Sequence, residues 1–213
     1  MLTLCLVIIA VICYLLGSVN GAIISSTFMY HQDVRDFGSH NAGLTNFHRT
    51  YGTAGMAIVV GVDMLKGVLS VLIGKFILGF FDAAAVGGVF AMLCCILGHM
   101  YPVFHQMRGG KGILTAWAAM LVFDWKLGLI AIFIFIVAVA ATRYVSLGSV
   151  LAAAFFPLGV VLARYGLLCF EIALVAAGFV IFKHRGNIGR LLNGTESKLV
   201  FKKDISDKFD ETF

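Results

Sequence analysis

The chain has 213 residues, of which 61% are hydrophobic and only 13% charged, and its mean hydropathy is +0.98. A water-soluble protein carries about 25% charged and about 45–50% apolar residues, so this composition excludes an ordinary soluble domain. The formal net charge is +5, but in a membrane protein the distribution of the charges is more informative than their sum. At about 20 residues per spanning helix, the length allows about seven spans and no separate soluble domain.

Seven apolar runs, in chain order, predict seven transmembrane helices. The first sixteen residues contain no Lys or Arg, and no small-residue cleavage site ends the apolar run. We therefore expect a retained first span rather than a cleaved signal peptide. Several runs are shorter than a usual span, as in helices that are tilted, broken or only partly crossing. The runs cover approximately residues 2–27, 53–78, 84–100, 112–123, 127–141, 147–163 and 166–182.

These runs predict an all-α integral membrane protein with a single polytopic domain over residues 1–213. The tail from about residue 197 mixes charge and phenylalanine without a clear motif, and we expect it to be peripheral or loosely ordered. The five cysteines lie in apolar runs without CxxC or Cys/His ligand spacing. They are therefore expected to be buried small apolar residues.

The cations divide unevenly between the two sets of connections. With seven spans, twelve Lys or Arg residues fall on one side and three on the other, with Lys66 inside a span. Because Lys and Arg concentrate in cytoplasmic connections, we expect the C-terminus in the cytoplasm and the N-terminus outside. All six histidines fall on the cytoplasmic side, so the chemistry is expected to face the cytoplasm.

Segment A (residues 33–49) is the first predicted cytoplasmic connection. It combines glycines and small polar side chains between two arginines, which suits a cluster of anionic oxygens. A plain polar loop of turn residues has a similar composition, so both interpretations stay open here. The polar positions are Arg35, Ser39, Asn41, Thr45, Asn46 and Arg49.

Segment B (residues 98–112) places glycines and cations directly before an apolar run. Backbone N–H groups at such glycines can approach a phosphate, and the N-terminus of the following helix adds partial positive charge. The segment is not a Walker A loop, because His105 stands where that motif needs a glycine and Gly112 where it needs Ser or Thr. We predict a phosphate site; the alternative is a glycine-rich turn with interfacial cations. The residues concerned are His99, Arg108, Gly109, Gly110, Lys111 and Gly112.

Two further segments carry polar groups at predicted span ends. Segment C (residues 142–146) contains Arg143 and Ser146, which either complete an anion site or anchor a helix at the headgroups. Segment D (residues 184–198) follows the last run. If it is helical from about residue 183, His184 and Asn187 lie on one face and can point together at a substrate.

Asp63 and Lys66 are spaced i, i+3 within the second run, roughly 15 Å from its cytoplasmic end at 1.5 Å per residue. Ionisable groups at that depth are costly and mark either function or mutual pairing. We expect a structural ion pair.

Two short spacings in and near segment A suggest other chemistries. His31 and Asp36 form an HxxxxD spacing, typical of acyltransferases that use acyl thioesters, and Asp33 and Asp36 form a DxxD spacing, typical of metal-dependent alcohol phosphotransferases. The next carboxylate is Asp63, so a metal site would lack ligands. We expect no metal, and a salt-bridged turn of Asp33, Arg35 and Asp36 instead.

Together these motifs resemble the bacterial acyl-phosphate:glycerol-3-phosphate acyltransferases, the PlsY family, over nearly the whole chain. The resemblance rests on Gly17-Ser18, segment A from Asp33 to Arg49, Asp63-xx-Lys66-Gly67, Gly98-His99 to Gly112, Arg143 to Ser146, and His184 to Glu196. A long, ordered and mostly loop-borne set of this kind is much more specific than any single motif. The chain departs from the family pattern at His40 and at residues 105–108.

The resemblance implies a multi-pass enzyme of the bacterial inner membrane that moves a fatty acyl group from acyl phosphate to the sn-1 hydroxyl of glycerol 3-phosphate. The products are lysophosphatidic acid and phosphate, in the first step of phospholipid synthesis. The partners implied are both substrates and membrane lipid, with no nucleic acid and no cofactor. We expect Ser39, Arg49, Lys111, His184 and Asn187 as catalytic residues and Glu196 as a structural one. The residues expected to bind substrate are Asn41, Thr45, Asn46, His99, Arg108, Gly109, Gly110, Gly112, Arg143, Ser146 and Arg190.

Acyl phosphate is a mixed anhydride with a good leaving group, so a protein can act on it mainly by positioning and charge stabilisation. The sequence contains no Ser-His-Asp order and no activated cysteine, which favours direct transfer without an acyl-enzyme. The base is left open between His184, His99 and a substrate phosphate oxygen. We expect the acyl chain to lie in a groove between spans. A thioester-using acyltransferase and a small transporter are the alternative functions, but a transporter does not explain glycine and cation clusters on one face of the membrane.

Overall fold

The computed structural model describes residues 1–199, which form ten α-helices and two short 3₁₀ helices. The predicted loose tail lies almost entirely outside these described residues. The 3₁₀ helices are Val34–Asp36 and Val103–His105. The α-helices are α1 (Leu2–Ser18), α2 (Gly21–Tyr30), α3 (Leu44–Tyr51), α4 (Met56–Gly79), α5 (Ala84–Met100), α6 (Ile113–Phe123), α7 (Trp125–Thr142), α8 (Val145–Leu162), α9 (Leu167–Lys183) and α10 (Arg185–Leu192).

All seven predicted apolar runs are helical, which confirms the all-α class for the described part of the chain. Five helical stretches there are long and apolar enough to cross a membrane, and α1 with α2 counts as one of them. A sixth is added if α9 and α10, bent by 59°, are taken together, whereas α6 is a shorter apolar helix. Seven complete spans therefore stay a prediction.

Large apolar side chains cover the outside of the helical bundle. Phe76, Phe133 and Leu162 are 69%, 66% and 69% exposed. Apolar surface on this scale is unfavourable in water and is what a helix presents to lipid.

Small residues let the helices approach each other closely. Gly74 on α4 faces Gly87 on α5, and a methyl group on either would overlap the backbone of the other. Gly17 on α1 lies in the same way against the backbone of Cys95 on α5. Since lipid tails supply no hydrophobic force between helices, such close backbone packing is a main source of helix association in a membrane. It fixes α1, α4 and α5 as one unit.

The first span is interrupted between α1 and α2. The buried charges of α4 form hydrogen bonds with the backbone groups at this interruption. Lys66 Nζ donates to the carbonyl oxygens of Gly17 (3.2 Å) and Val19 (2.6 Å), while Asp63 Oδ1 accepts from the backbone N–H of Gly21 (3.2 Å). The two charges form an ion pair of 2.8 Å, and each side chain is 2–3% exposed. The pair thus stabilises backbone groups that a helix break leaves without partners.

Segments A to D meet at one end of the bundle, where residues from all four line two adjoining cavities. The opposite end is closed by polar contacts of its own. There Lys75 Nζ donates to the carbonyls of Val122 and Phe123, and Tyr165 donates to Asp124 Oδ2 over 3.0 Å.

Candidate active site

A cavity of about 340 Å³ runs from segments A, B and D into the space between the helices. Its walls change from polar at the loop end to apolar in depth. The polar lining comprises Ser39, Asn41, Thr45, Asn46, Arg49, Asp63, His99, Lys111, Ser146, Ser149, His184, Asn187, Arg190, Glu196 and Ser197. The apolar lining from α5 to α9 includes Met92, Ile96, Met120, Ala131, Ile132, Phe135, Ala152, Ala153, Phe156, Ala176, Ala177 and Val180.

Asn46 holds segment A in shape, because its side chain is buried and forms hydrogen bonds through both its amide oxygen and its amide nitrogen. Its Oδ1 accepts from the backbone N–H of Ser39 (2.8 Å), and its Nδ2 donates to the carbonyls of Val34 and Phe37 (3.0 Å each). The amide therefore fixes the turn that presents Ser39 to the cavity. These contacts favour a positioning role for Asn46 over the substrate-binding role predicted from the sequence, because residue spacing alone does not show which groups of a turn are hydrogen-bonded to each other.

Segment B packs its glycines directly against His99. The N–H of Gly110 donates to the His99 carbonyl (3.1 Å), and a methyl group at Gly109 or Gly110 would overlap the backbone or the ring of His99. Gly112 has a φ of +80° at the start of α6, a conformation that glycine adopts without strain. Lys111, between these glycines, is thereby held at the wall shared by both cavities.

A continuous chain of hydrogen bonds and one ion pair connects four side chains, in the order Lys111, Asn187, Glu196 and Arg190. Lys111 Nζ donates to Asn187 Oδ1, and Asn187 Nδ2 donates to Glu196 Oε1 over 2.6 Å. Arg190 Nε pairs with Glu196 Oε2 over 2.7 Å. The chain connects segments B and D, so the cation of segment B depends on residues that lie far along the sequence.

Burial lowers the pKa of Lys111 to about 8. The Glu196 carboxylate raises this pKa, whereas the charges of Arg190 and Arg49 lower it further. For Glu196, burial raises the pKa, but hydrogen bonds from Asn187 and Arg190 and the charge of Arg190 outweigh it and hold the pKa below the usual value. The site therefore contains a carboxylate that resists protonation and an ammonium group that loses its proton readily.

His184 lies at the junction of α9 and α10 and is 2% exposed. Its Nδ1 is 2.8 Å from the carbonyl oxygen of Val180. A carbonyl only accepts, so Nδ1 carries the proton in the neutral ring, and Nε2 is left with a lone pair. His184 thus meets the cavity as a hydrogen-bond acceptor.

A second cavity, of about 1240 Å³, adjoins the first on the loop side. It is lined by Arg108 and Gly109, as well as by cations that we did not assign from the sequence. The two cavities share the side chains of Ser39, Asn41, Lys111, Asn187 and Arg190. The unassigned cations are Lys183 and Arg185, and Arg35 of segment A also lines this cavity.

Arg35 connects segments A and B. It pairs with Asp33 over 2.6 Å, as the salt-bridged turn predicts, but forms no ion pair with Asp36, the third member of that prediction, in the described part of the chain. It also donates to the backbone carbonyls of His105 (2.6 Å) and Arg108 (3.1 Å). The hydrogen bonding to Asp33 is the main reason why the pKa of that carboxyl is lowered. Asp33 is therefore engaged within the loop.

Two of the predicted binding residues, Gly110 and Arg143, are absent from the lining of both cavities among residues 1–199. Gly110 packs against the ring of His99, whereas Arg143 lies apart. It ends α7 with a φ of 64°, and its carbonyl accepts from the N–H of Leu199 over 2.7 Å. His31, at the end of α2, also lies outside both cavities. Within the described residues no group of three or more His, Cys, Asp or Glu side chains is placed to hold a metal ion.

The sequence model of the family described as glycerol-3-phosphate acyltransferase matches residues 7–194. The chain belongs to this family. A glycerol-3-phosphate acyltransferase of Thermoanaerobacter sp. (strain X514) is 41% identical over 199 residues, covering 93% of this chain and 98% of the relative. The enzyme of that name from Clostridioides difficile (strain 630) is 40% identical over 201 residues, covering 93% and 97%.

Two solved structures have the same fold. They are crystal structures of PlsY, an integral membrane glycerol 3-phosphate acyltransferase, in the glycerol 3-phosphate form and in the lysophosphatidic acid form. The TM-scores are 0.81 and 0.79, both at 31% identity over 92% of this chain and 96% or 95% of the other. The PlsY resemblance seen in the motifs is confirmed, and with it a glycerol-3-phosphate acyltransferase built into a membrane.

Proposed function

We propose that this acyltransferase moves a fatty acyl group from acyl phosphate to the sn-1 hydroxyl of glycerol 3-phosphate, releasing lysophosphatidic acid and phosphate. The observation that carries the proposal is the polarity gradient of the first cavity. Arg49, Lys111 and Arg190 lie at its loop end, and its depth is lined by apolar side chains of α5 to α9. This arrangement suits a molecule with an anionic head and a hydrocarbon tail.

The second cavity supports the use of a water-soluble co-substrate. It is polar, rich in Lys and Arg, and separated from the first cavity by a wall of shared side chains that includes Ser39 and Lys111. Glycerol 3-phosphate is small and anionic, so it can enter through this cation-lined second cavity. The acceptor hydroxyl and the acyl carbonyl would then meet at the shared wall, where positioning gives the largest rate gain.

The chemistry proposed is direct transfer. The sn-1 oxygen of glycerol 3-phosphate attacks the acyl carbonyl, a new ester bond forms, the bond from the acyl carbon to the phosphate oxygen breaks, and phosphate leaves with the electron pair. Lys111 and Arg49 stabilise negative charge on the phosphate groups. The acceptor state of His184 Nε2 supports it as the group that receives the hydroxyl proton. A phosphate oxygen of the substrate is the alternative acceptor.

The proposed setting is the bacterial inner membrane, in a single polytopic domain with seven spans and segments A to D in the cytoplasm. The test is labelling of Lys126→Cys and Asn193→Cys with a membrane-impermeant maleimide on right-side-out vesicles, in a background with Cys5 replaced by Ala. We expect Lys126→Cys to react at once and Asn193→Cys only after permeabilisation. The opposite pattern would overturn the orientation.

The donor is tested with detergent-purified protein, glycerol 3-phosphate and, in parallel, palmitoyl phosphate or palmitoyl-CoA. We expect lysophosphatidic acid and phosphate with palmitoyl phosphate alone. His31→Ala serves as the matched control, because His31 lies outside both cavities and is needed only if the HxxxxD spacing is catalytic. Activity with palmitoyl-CoA alone, lost in His31→Ala, would replace the proposed donor by a thioester.

A further inference from the structure

Two buried histidines line the first cavity with opposite hydrogen-bonding states. The ring of His184 has its Nδ1 against a carbonyl oxygen, which makes Nδ1 a donor. The ring of His99 has its Nδ1 2.8 Å from Lys66 Nζ. An ammonium group only donates, so this Nδ1 must accept, and the proton of the neutral ring is on Nε2. His99 therefore offers an N–H where His184 offers a lone pair.

Every contact of Lys66 Nζ is consistent with a charged, donating group. It faces the carbonyl oxygens of Gly17 and Val19, Asp63 Oδ1 at 2.8 Å, and His99 Nδ1. Since Asp63 neutralises the charge, the pair can stay ionised although both side chains are buried. The ion pair that satisfies the break in the first span thus also fixes the hydrogen bonding of an imidazole in the cavity.

The edge of the His99 ring that carries Nε2 lies against Gly110 of segment B. A side chain at Gly110 would overlap Nε2. His99 and Lys111 line the same cavity, at the end where the cations are gathered. An N–H donor there, beside Lys111, suits an anionic oxygen.

We propose that Lys66 is a positioning residue that holds His99 as its Nε2–H tautomer, so that His99 donates a hydrogen bond to a phosphate oxygen of bound substrate. His99 is thereby a donor and not the general base. The identity of the oxygen rests on the proposed function, since glycerol 3-phosphate and acyl phosphate both carry the required group.

Without Lys66, the tautomer of His99 is expected to reverse, because the carboxylate of Asp63 then becomes the nearest charge to Nδ1. Asp63 Oδ1 already lies 3.7 Å from His99 Nδ1. Without the intervening ammonium, the carboxylate attracts a proton onto Nδ1, and Nε2 of the neutral ring becomes an acceptor that repels a phosphate oxygen. The other charge acting on the ring is Lys183 of α9.

The first measurement is the tautomer itself, by ¹⁵N NMR of the imidazole nitrogens in ¹⁵N-histidine-labelled protein, with His99→Gln and His184→Asn variants to assign the two rings. We expect Nε2–H for His99 and Nδ1–H for His184 in the wild type, and Nδ1–H for His99 in Lys66→Met. An Nδ1–H His99 in the wild type would overturn the proposal. So would an unchanged tautomer in Lys66→Met. This readout needs no substrate and separates the proposal from the function.

The second measurement compares Lys66→Met with Lys75→Met, a matched control that removes a carbonyl-capping lysine from the opposite end of the bundle. We expect kcat/KM of Lys66→Met to fall by about 10-fold or more, the factor for losing a hydrogen bond to a charged group. The substrate whose KM rises is the one whose phosphate accepts the hydrogen bond from His99. An equal loss of kcat/KM in both variants would mean that Lys66 is merely structural.

Discussion

The backbone of Gly110 lies directly against the imidazole of His99, so closely that a methyl group at position 110 would overlap Nε2. The same methyl group would lie 2.5 Å from the carbonyl oxygen of Ala42 in segment A. Three parts of the chain therefore converge at a position that tolerates no side chain. In the sequence this glycine looks like a phosphate-loop residue, whereas in the structure it also gives His99 its place.

Gly110→Ala should destabilise the protein and remove most of its activity. A new methyl group against the His99 ring and the Ala42 carbonyl forces segment B to move, at a cost of about 1–3 kcal/mol for overpacking. Lys111 moves with it. The measurement is the melting temperature together with kcat/KM in detergent.

Gly178→Ala is the control for Gly110→Ala, since no atom lies within 4 Å of a Cβ at position 178 of α9. It should melt at or slightly above the wild-type temperature and keep full activity, because alanine favours a helix by about 1 kcal/mol over glycine. A Gly110→Ala variant as active as Gly178→Ala would contradict the close packing of His99.

His184→Ala should lower kcat by about 10² or more, the usual contribution of a general base. His184→Asn keeps a side-chain N–H that can reach the Val180 carbonyl but removes the lone pair of Nε2. Both variants should therefore lose turnover to a similar extent, measured by phosphate release under saturating substrates. If only KM rises, His184 binds substrate and a phosphate oxygen takes the proton.

The pKa of Lys111, lowered to about 8 chiefly by burial, predicts an alkaline limit of activity. The ammonium is charged below that pH and loses its proton above it, so kcat/KM for glycerol 3-phosphate should fall as the pH rises through about 8. Because a bound phosphate raises the pKa again, the limit should be weaker in kcat.

Lys111→Arg tests this assignment, since arginine stays charged at alkaline pH. The variant should have a lower kcat/KM, because the guanidinium does not reproduce the geometry of the ammonium, but its alkaline limit should lie at higher pH. An alkaline limit at the same pH in both proteins would assign the titration to another group.

Glu196→Gln should weaken the chain from Lys111 to Arg190 and lower the melting temperature at neutral pH. The pKa of Glu196 is held below its usual value of 4.5. The carboxylate therefore contributes stability above pH about 4.5 that is lost as the pH falls through its lowered pKa. The difference in melting temperature between wild type and variant should shrink over that acidic range. A constant difference would mean that the charge of Glu196 contributes nothing.

The local order of residues determined the class of this protein. Repeated long apolar runs with few charges place the chain in lipid, and a chain in lipid forms helices because it must satisfy its backbone groups internally. All seven runs are helices. The glycine and cation segments, read as one ordered set, identified the PlsY family, because residue type and spacing survive in a sequence even where contacts are invisible.

The tertiary structure decided which of these residues act together. It placed Asn46 in the turn behind Ser39, kept Arg143 out of both cavities, and brought Lys111 to Asn187. It also shows that the first span is interrupted at Val19, where the buried Lys66 of α4 donates to the backbone. Hydropathy and spacing describe neighbours along the chain, whereas these contacts join residues that are distant in sequence and meet only when the helices pack.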